Sequence, residues 1–127
     1  MKNPAFTLVE LLTVIVLLGI IAAIVFPTVQ KAIQNSQDKA YEEQKDTIIY
    51  AAQRWVTDNT EKVSTTSSTY KSIACLKKEG YLTSNKQILN PTTNEEMNGC
   101  VTITYDMSHK QFKYQYADTC PGTDICN

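Results

Sequence analysis

Between Phe6 and Val29 the chain is apolar except at Thr7, Glu10, Thr13, Gly19, Pro27 and Thr28. As a helix these 24 residues would reach roughly 36 Å, enough to cross a hydrocarbon core of about 30 Å. The part from Leu11 to Phe26 alone would need tilt or a thinner bilayer. Glu10 is the one acidic group in this stretch. A carboxylate costs up to about 2.5–3.5 kcal/mol at a bilayer centre and less near an interface, so something must offset that cost or use the charge. Pro27 removes a backbone donor and clashes with the preceding turn, which predicts a kink.

Past Pro27 the spacing stays helical while the composition turns amphipathic. Val29, Ile33, Ser36, Ala40, Thr47 or Ile48, Ala51 and Trp55 fall on one face, and Lys31, Gln34, Asp38, Glu42, Lys45 and Asp46 mostly fall elsewhere. The pattern predicts one long helix ending near Asp58-Asn59-Thr60. Its stripe is weak around Ser36 and strong at Ile48, Ala52, Trp55 and Val56, so mainly the distal half should pack on a core.

Residues 60–70, with Ser64-Thr65-Thr66-Ser67-Ser68-Thr69, read as a solvated loop in preference to an O-glycosylated one. A short helix is expected from Lys71 to Glu79, capped by Thr69 or Ser68, with Ile73 and Leu76 inward. Gly80 should supply its left-handed end, with Tyr81 and Leu82 folding back. Asn90-Pro91-Thr92-Thr93-Asn94 carries turn chemistry. Strict alternation then predicts two strands, Cys100–Tyr105 and Gln111–Ala117, joined through Asp106–Lys110. Two strands alone are marginal in water, so the apolar face must cover the long helix. The Phe112, Tyr114 and Tyr116 stripe therefore reads as core packing near Trp55, in preference to a ligand platform. The expected class is α+β.

The chain of 127 residues carries a net charge of -1 with both signs interspersed, which does not indicate binding to nucleic acid by bulk electrostatics. Lys77, Lys78, Lys110 and Lys113 could align toward DNA, but ordinary surface charge is the preferred reading. Four cysteines, Cys75, Cys100, Cys120 and Cys126, all follow the apolar segment. An even count in a small domain behind a membrane-directed segment points to disulfides in an oxidising compartment. Cys75–Cys100 with Cys120–Cys126 is the favoured pairing, and Cys100–Cys120 with Cys75–Cys126 stays open beside it. No C-x-x-C pair exists and His109 is the lone histidine, so no metal site is expected. Lys2 places positive charge on the cytoplasmic side. Ala22-Ala23-Ile24 is not a convincing signal-peptidase site, and Glu10 lies where a secretory signal should be apolar.

Phe6-Thr7-Leu8-Val9-Glu10-Leu11-Leu12, followed by an apolar helix with Gly19 and Pro27, resembles the N-terminus of type IV pilins and pseudopilins. The resemblance implies a leader at residues 1–5, a transmembrane and assembly segment at 6–30, and an extracellular head at 31–127. It implies cleavage by a prepilin peptidase between Ala5 and Phe6, N-methylation at Phe6, and an assembly role for Glu10. The family places glycine before the cut, and this chain has Ala5. Gly19 and Pro27 become points where the helix can kink or loosen. The implied fold is the ladle of that family, and the second half is also similar to small pilin-like proteins of Gram-positive bacteria.

The implied function is a structural subunit of a type IV pilus-like filament, a single-pass membrane protein before assembly and extracellular afterwards. Implied partners are other pilin subunits, the prepilin peptidase, an inner-membrane assembly platform and, before assembly, membrane lipid. A competence or type II secretion pseudopilin, or a membrane-anchored binding module that never polymerises, are the alternatives. No catalytic constellation is visible, so neither enzymatic activity nor a cofactor is expected; Glu42-Glu43 and Glu95-Glu96 are sequence neighbours, as on a solvated surface.

Overall fold

The computed structural model describes residues 5–126. Of the expected leader, residues 1–4 thus lie outside the described residues. The class is α+β: a long N-terminal helix, α1 (Leu8–Asp58), is followed by a small antiparallel sheet. The chain divides into two compact units, residues 1–37 and residues 38–127.

The first unit is helical from Leu8 onward and contains Pro27 in the helix interior. The proline leaves the Ala23 carbonyl without its usual donor four residues on. At the next position, the Thr28 hydroxyl donates to the Ile24 carbonyl at 3.5 Å. None of the apolar side chains from Phe6 to Ile33 is buried within the chain.

In the second unit α1 gains a buried face. Ile48, Ala51, Ala52, Trp55 and Val56 are buried, matching the distal half of the apolar stripe. They form one core with Val63, Ile73, Leu76, Met97, Val101 and Ile103. Side chains complete the end of α1: Asn59 Nδ2 donates to the Trp55 carbonyl at 3.0 Å, and the Thr60 hydroxyl to the Val56 carbonyl at 3.2 Å. The Asn59 N–H donates to the same two carbonyls at 2.9 and 3.2 Å, so the side chains add to the backbone in completing the acceptors at the helix end.

The sheet has three strands in sequence order, β1 (Thr69–Ser72), β2 (Cys100–Asp106) and β3 (Gln111–Ala117). Lys71 lies opposite Val101 and Thr69 opposite Ile103, while Val101 and Ile103 face Tyr116 and Tyr114. One sheet face therefore carries Thr69, Lys71, Val101, Ile103, Tyr105, Phe112, Tyr114 and Tyr116. The last three pack half-buried against the core that holds Trp55.

Strand β1 corrects the sequence reading, which placed Thr69 and Tyr70 in a loop and began a helix at residue 71. The helix is shorter, α2 (Ile73–Lys78), and its N-cap is Ser72, whose hydroxyl accepts from the Cys75 N–H at 3.1 Å, not Thr69 or Ser68. Residues 69–71 are drawn into the sheet because Lys71, a residue that ordinarily seeks water, is fully buried and multiply paired. The C-terminal end of α2 follows expectation. Gly80 has φ 85°, and the Tyr81 and Leu82 N–H groups return to the Leu76 carbonyl.

The favoured disulfide pairing is also corrected. Cys75 pairs with Cys126 and Cys100 with Cys120, with Cα separations of 5.5 and 5.1 Å. Register explains the second bond: Cys100 lies opposite Ala117 at the end of β3, so the chain just beyond that strand folds back onto it. The first bond forms because the C-terminal segment runs beside β1, where Asp124 bridges to Tyr70 in parallel. Each bond stabilises the head by about 2–4 kcal/mol.

Candidate functional site

The most distinctive surface lies at the start of α1. Ala5, Phe6 and Thr7 precede the helix, and the Phe6 side chain is 80% exposed. Thr7 occupies the N-cap position: its hydroxyl accepts from the Glu10 N–H at 3.2 Å, and its carbonyl from the Leu11 N–H at 3.1 Å. Thr7-Leu8-Val9-Glu10 thus has the spacing of a capping box, a local signal for the helix start overlooked in the sequence reading. Glu10 sits in the first helical turn, where the helix dipole favours negative charge. Among the described residues its carboxylate has no ion-pair partner.

From Leu8 to Val29 the helix presents apolar side chains on every side. Leu8, Leu12, Ile21 and Phe26 are among those more than half exposed. α1 is long and apolar enough in this part to cross a membrane. At Gly19 an added Cβ would meet nothing within 4 Å, so no contact within the chain requires a glycine there.

These features coincide with a known sequence signature. Residues 1–26 match the prokaryotic N-terminal methylation motif. This is the prepilin motif of type IV pilins and pseudopilins. No curated protein and no solved structure matches the chain. The motif with its apolar helix fits processing by a prepilin peptidase, membrane anchoring and assembly with other pilins. Ala5 and Phe6, Glu10 and Gly19 all lie inside the matched residues, and Pro27 directly follows them.

The other residues singled out from sequence are spread over the head. Of the four lysines that could align toward DNA, Lys77 pairs with Glu96 at 3.8 Å and Lys113 with Asp106 at 2.7 Å, which offsets part of their charge. Asp106 also accepts from the Ser108 N–H at 2.9 Å and lies 2.8 Å from His109 Nδ1. The Lys113 ammonium first, then His109, holds its carboxyl well below the usual carboxylate range. Burial, with Asp118 nearby, pushes the Tyr116 phenol up to about 12. Both aromatic and acidic groups here act within the fold. The Asn90–Asn94 turn closes through the Asn94 N–H to the Asn90 carbonyl at 2.7 Å.

Proposed function

We propose that this chain is a structural subunit of a type IV pilus-like extracellular filament. The observation that carries the reading is the wholly unburied apolar helix surface that starts at the methylation motif and carries Glu10 in its first turn. Such a surface is stable in lipid or against copies of itself. At about 25 cal/mol per Å² of apolar area, burial among neighbouring helices would be the main cohesion once a subunit leaves the bilayer.

In this reading the peptidase cuts between Ala5 and Phe6, and Phe6 becomes the methylated amino terminus. Alanine is the smallest replacement for the family's glycine, so the cut is retained but slowed. The exposed, non-helical Ala5–Thr7 segment supports access by the enzyme. In the filament Glu10 of one subunit meets the Phe6 amino group of a neighbour. Away from water that pair is strong when fully satisfied, and isolating either member is costly. An inner-membrane assembly platform delivers the subunit to the filament.

The test is mechanical shearing of cells expressing wild-type chain or Glu10→Ala. Wild type in the sheared filament fraction, with Glu10→Ala left in the membrane, supports assembly. Membrane retention of both would overturn the filament reading in favour of an anchored, non-polymerising module.

A further inference from the structure

The C-terminal segment is docked by noncovalent contacts that converge on the disulfide it carries. The Ile125 N–H donates to the Tyr70 carbonyl at 3.1 Å, and buried Lys71 Nζ donates to the Ile125 carbonyl at 2.6 Å. Asp124 Oδ1 accepts from the Ser72 N–H at 3.0 Å, and Oδ2 from the Ser72 hydroxyl at 2.5 Å. That hydroxyl also caps α2 by accepting from the Cys75 N–H. Asp124 Oδ2 lies 2.8 Å from Cys75 Sγ. Gly122 lets the segment lie flat, since a Cβ there would collide with the Tyr70 ring.

We propose that Asp124 is the positioning residue that selects Cys75 as the partner of Cys126. Cys120 is a competitor only six residues away in sequence, and a local loop of that size closes readily in a flexible tail. Asp124 removes this advantage by fixing the segment at the β1–α2 junction before oxidation. Cys126 is exposed whereas Cys75 is 3% exposed, so Cys126 is the thiol that first meets an external disulfide. Its thiolate attacks glutathione disulfide, forming a mixed disulfide and releasing one glutathione thiolate. The Cys75 thiolate then attacks the Cys126 sulfur and releases the second. Two protein thiols are oxidised, one external disulfide is reduced, and the two protons lost by the protein thiols are taken up by the two departing glutathione thiolates.

The test uses the full chain in detergent with Cys100→Ala, which leaves Cys75 and Cys120 to compete for Cys126. After reoxidation with glutathione disulfide, nonreducing peptide mapping should give Cys75–Cys126 over Cys120–Cys126 by at least tenfold. Adding Asp124→Ala should lower that ratio at least fivefold, and Asp124→Asn, which keeps one oxygen to accept from the Ser72 N–H and can donate its amide to the Ser72 hydroxyl in place of the second bond, should stay within twofold of Cys100→Ala. An unchanged ratio in Asp124→Ala, or dominant Cys120–Cys126 with Asp124 intact, overturns the proposal. If near-ultraviolet dichroism of Trp55 shows that Cys100→Ala does not fold, the order of bond formation is followed in quenched samples of the four-cysteine chain. Cys75–Cys126 should then form at least fivefold more slowly in Asp124→Ala than in wild type, and equal rates overturn the proposal.

Discussion

Lys71 lies with its ammonium nitrogen 4.2 Å from the centroid of the Trp55 ring, inside the core of the head. The charge is met by Glu79 at 2.8 Å and by the Ile125 carbonyl at 2.6 Å. The Lys71 side chain is fully buried, whereas that of Glu79 is 15% exposed. Removing one member of a buried pair leaves the other uncompensated, at a cost of about 3–5 kcal/mol. Glu79→Ala should therefore destabilise the head by about that amount. Lys71→Met should cost less, because the member left behind is the more exposed one and a flexible apolar chain still lies over Trp55. Urea midpoints of the two variants in detergent check this order, and equal midpoints would contradict it.

The same lysine explains where sequence reasoning stopped. α1 was legible because its apolar positions recur at helical spacing over many turns, and β2 and β3 because their alternation is strict. Strand β1 was not, since its core-facing positions are Thr69 and Lys71: the Thr69 hydroxyl accepts from the Ser64 N–H, and the Lys71 ammonium is met by Glu79 and by the Ile125 carbonyl from the far end of the chain. The disulfide pairing was hidden for a related reason. It depends on Asp124 meeting Ser72, a contact with no local signature, so the sequence leaves both schemes open. The start of the helix is different: Thr7 and Glu10 carry a local capping signal that is readable from their spacing. The N-terminal motif was fully legible because its chemistry is contiguous in sequence.

Asp106 gives the head an acid-sensitive hairpin. Lys113 stands opposite Thr104, diagonal to Asp106 across β2 and β3, and with His109 it lowers the Asp106 pKa in the folded state. A depressed folded-state pKa contributes stability that is fully present above the unfolded value of about 3.9 and is lost as pH falls through the depressed value. Wild type should therefore lose thermal stability as pH falls below about 4 in a way that Asp106→Asn does not. Melting curves at successive pH values down to strong acid would show it. Identical pH slopes in the two chains would remove Asp106 from the account.

Trp55 and Ile33 belong to one helix and should fail in different assays. Trp55 is 1% exposed and Ile33 is 52% exposed. Trp55→Ala removes a core aromatic and should cost about 3–5 kcal/mol. Ile33→Ala should leave head stability within about 0.5 kcal/mol, as substitutions at exposed positions usually do. If neighbouring helices cover that surface in a filament, Ile33→Ala should nevertheless lower the yield of sheared filaments. Denaturation and shearing of both variants separate the two roles, and normal filament yield in Ile33→Ala would place residue 33 outside the assembled surface.

If the chain assembles into a filament as proposed, Gly19 and Pro27 should make the helix behave differently there and in the membrane. Glycine weakens a helix interior by about 0.5–1 kcal/mol relative to alanine, and proline removes one hydrogen bond of the helical ladder. In lipid every backbone group must be satisfied internally, which holds the helix together despite both residues. A filament interior with access to water relaxes that demand, and the stretch between them is where α1 should open first. Amide exchange in the wild-type chain should therefore be faster from Gly19 to Pro27 in filaments than in membranes. The Gly19→Ala, Pro27→Ala chain should be protected equally in both settings, because alanine fits the open space at residue 19 and restores the donor at residue 27. Faster exchange in filaments that survives in the double variant would show that the opening is imposed by subunit packing and does not originate in these two residues.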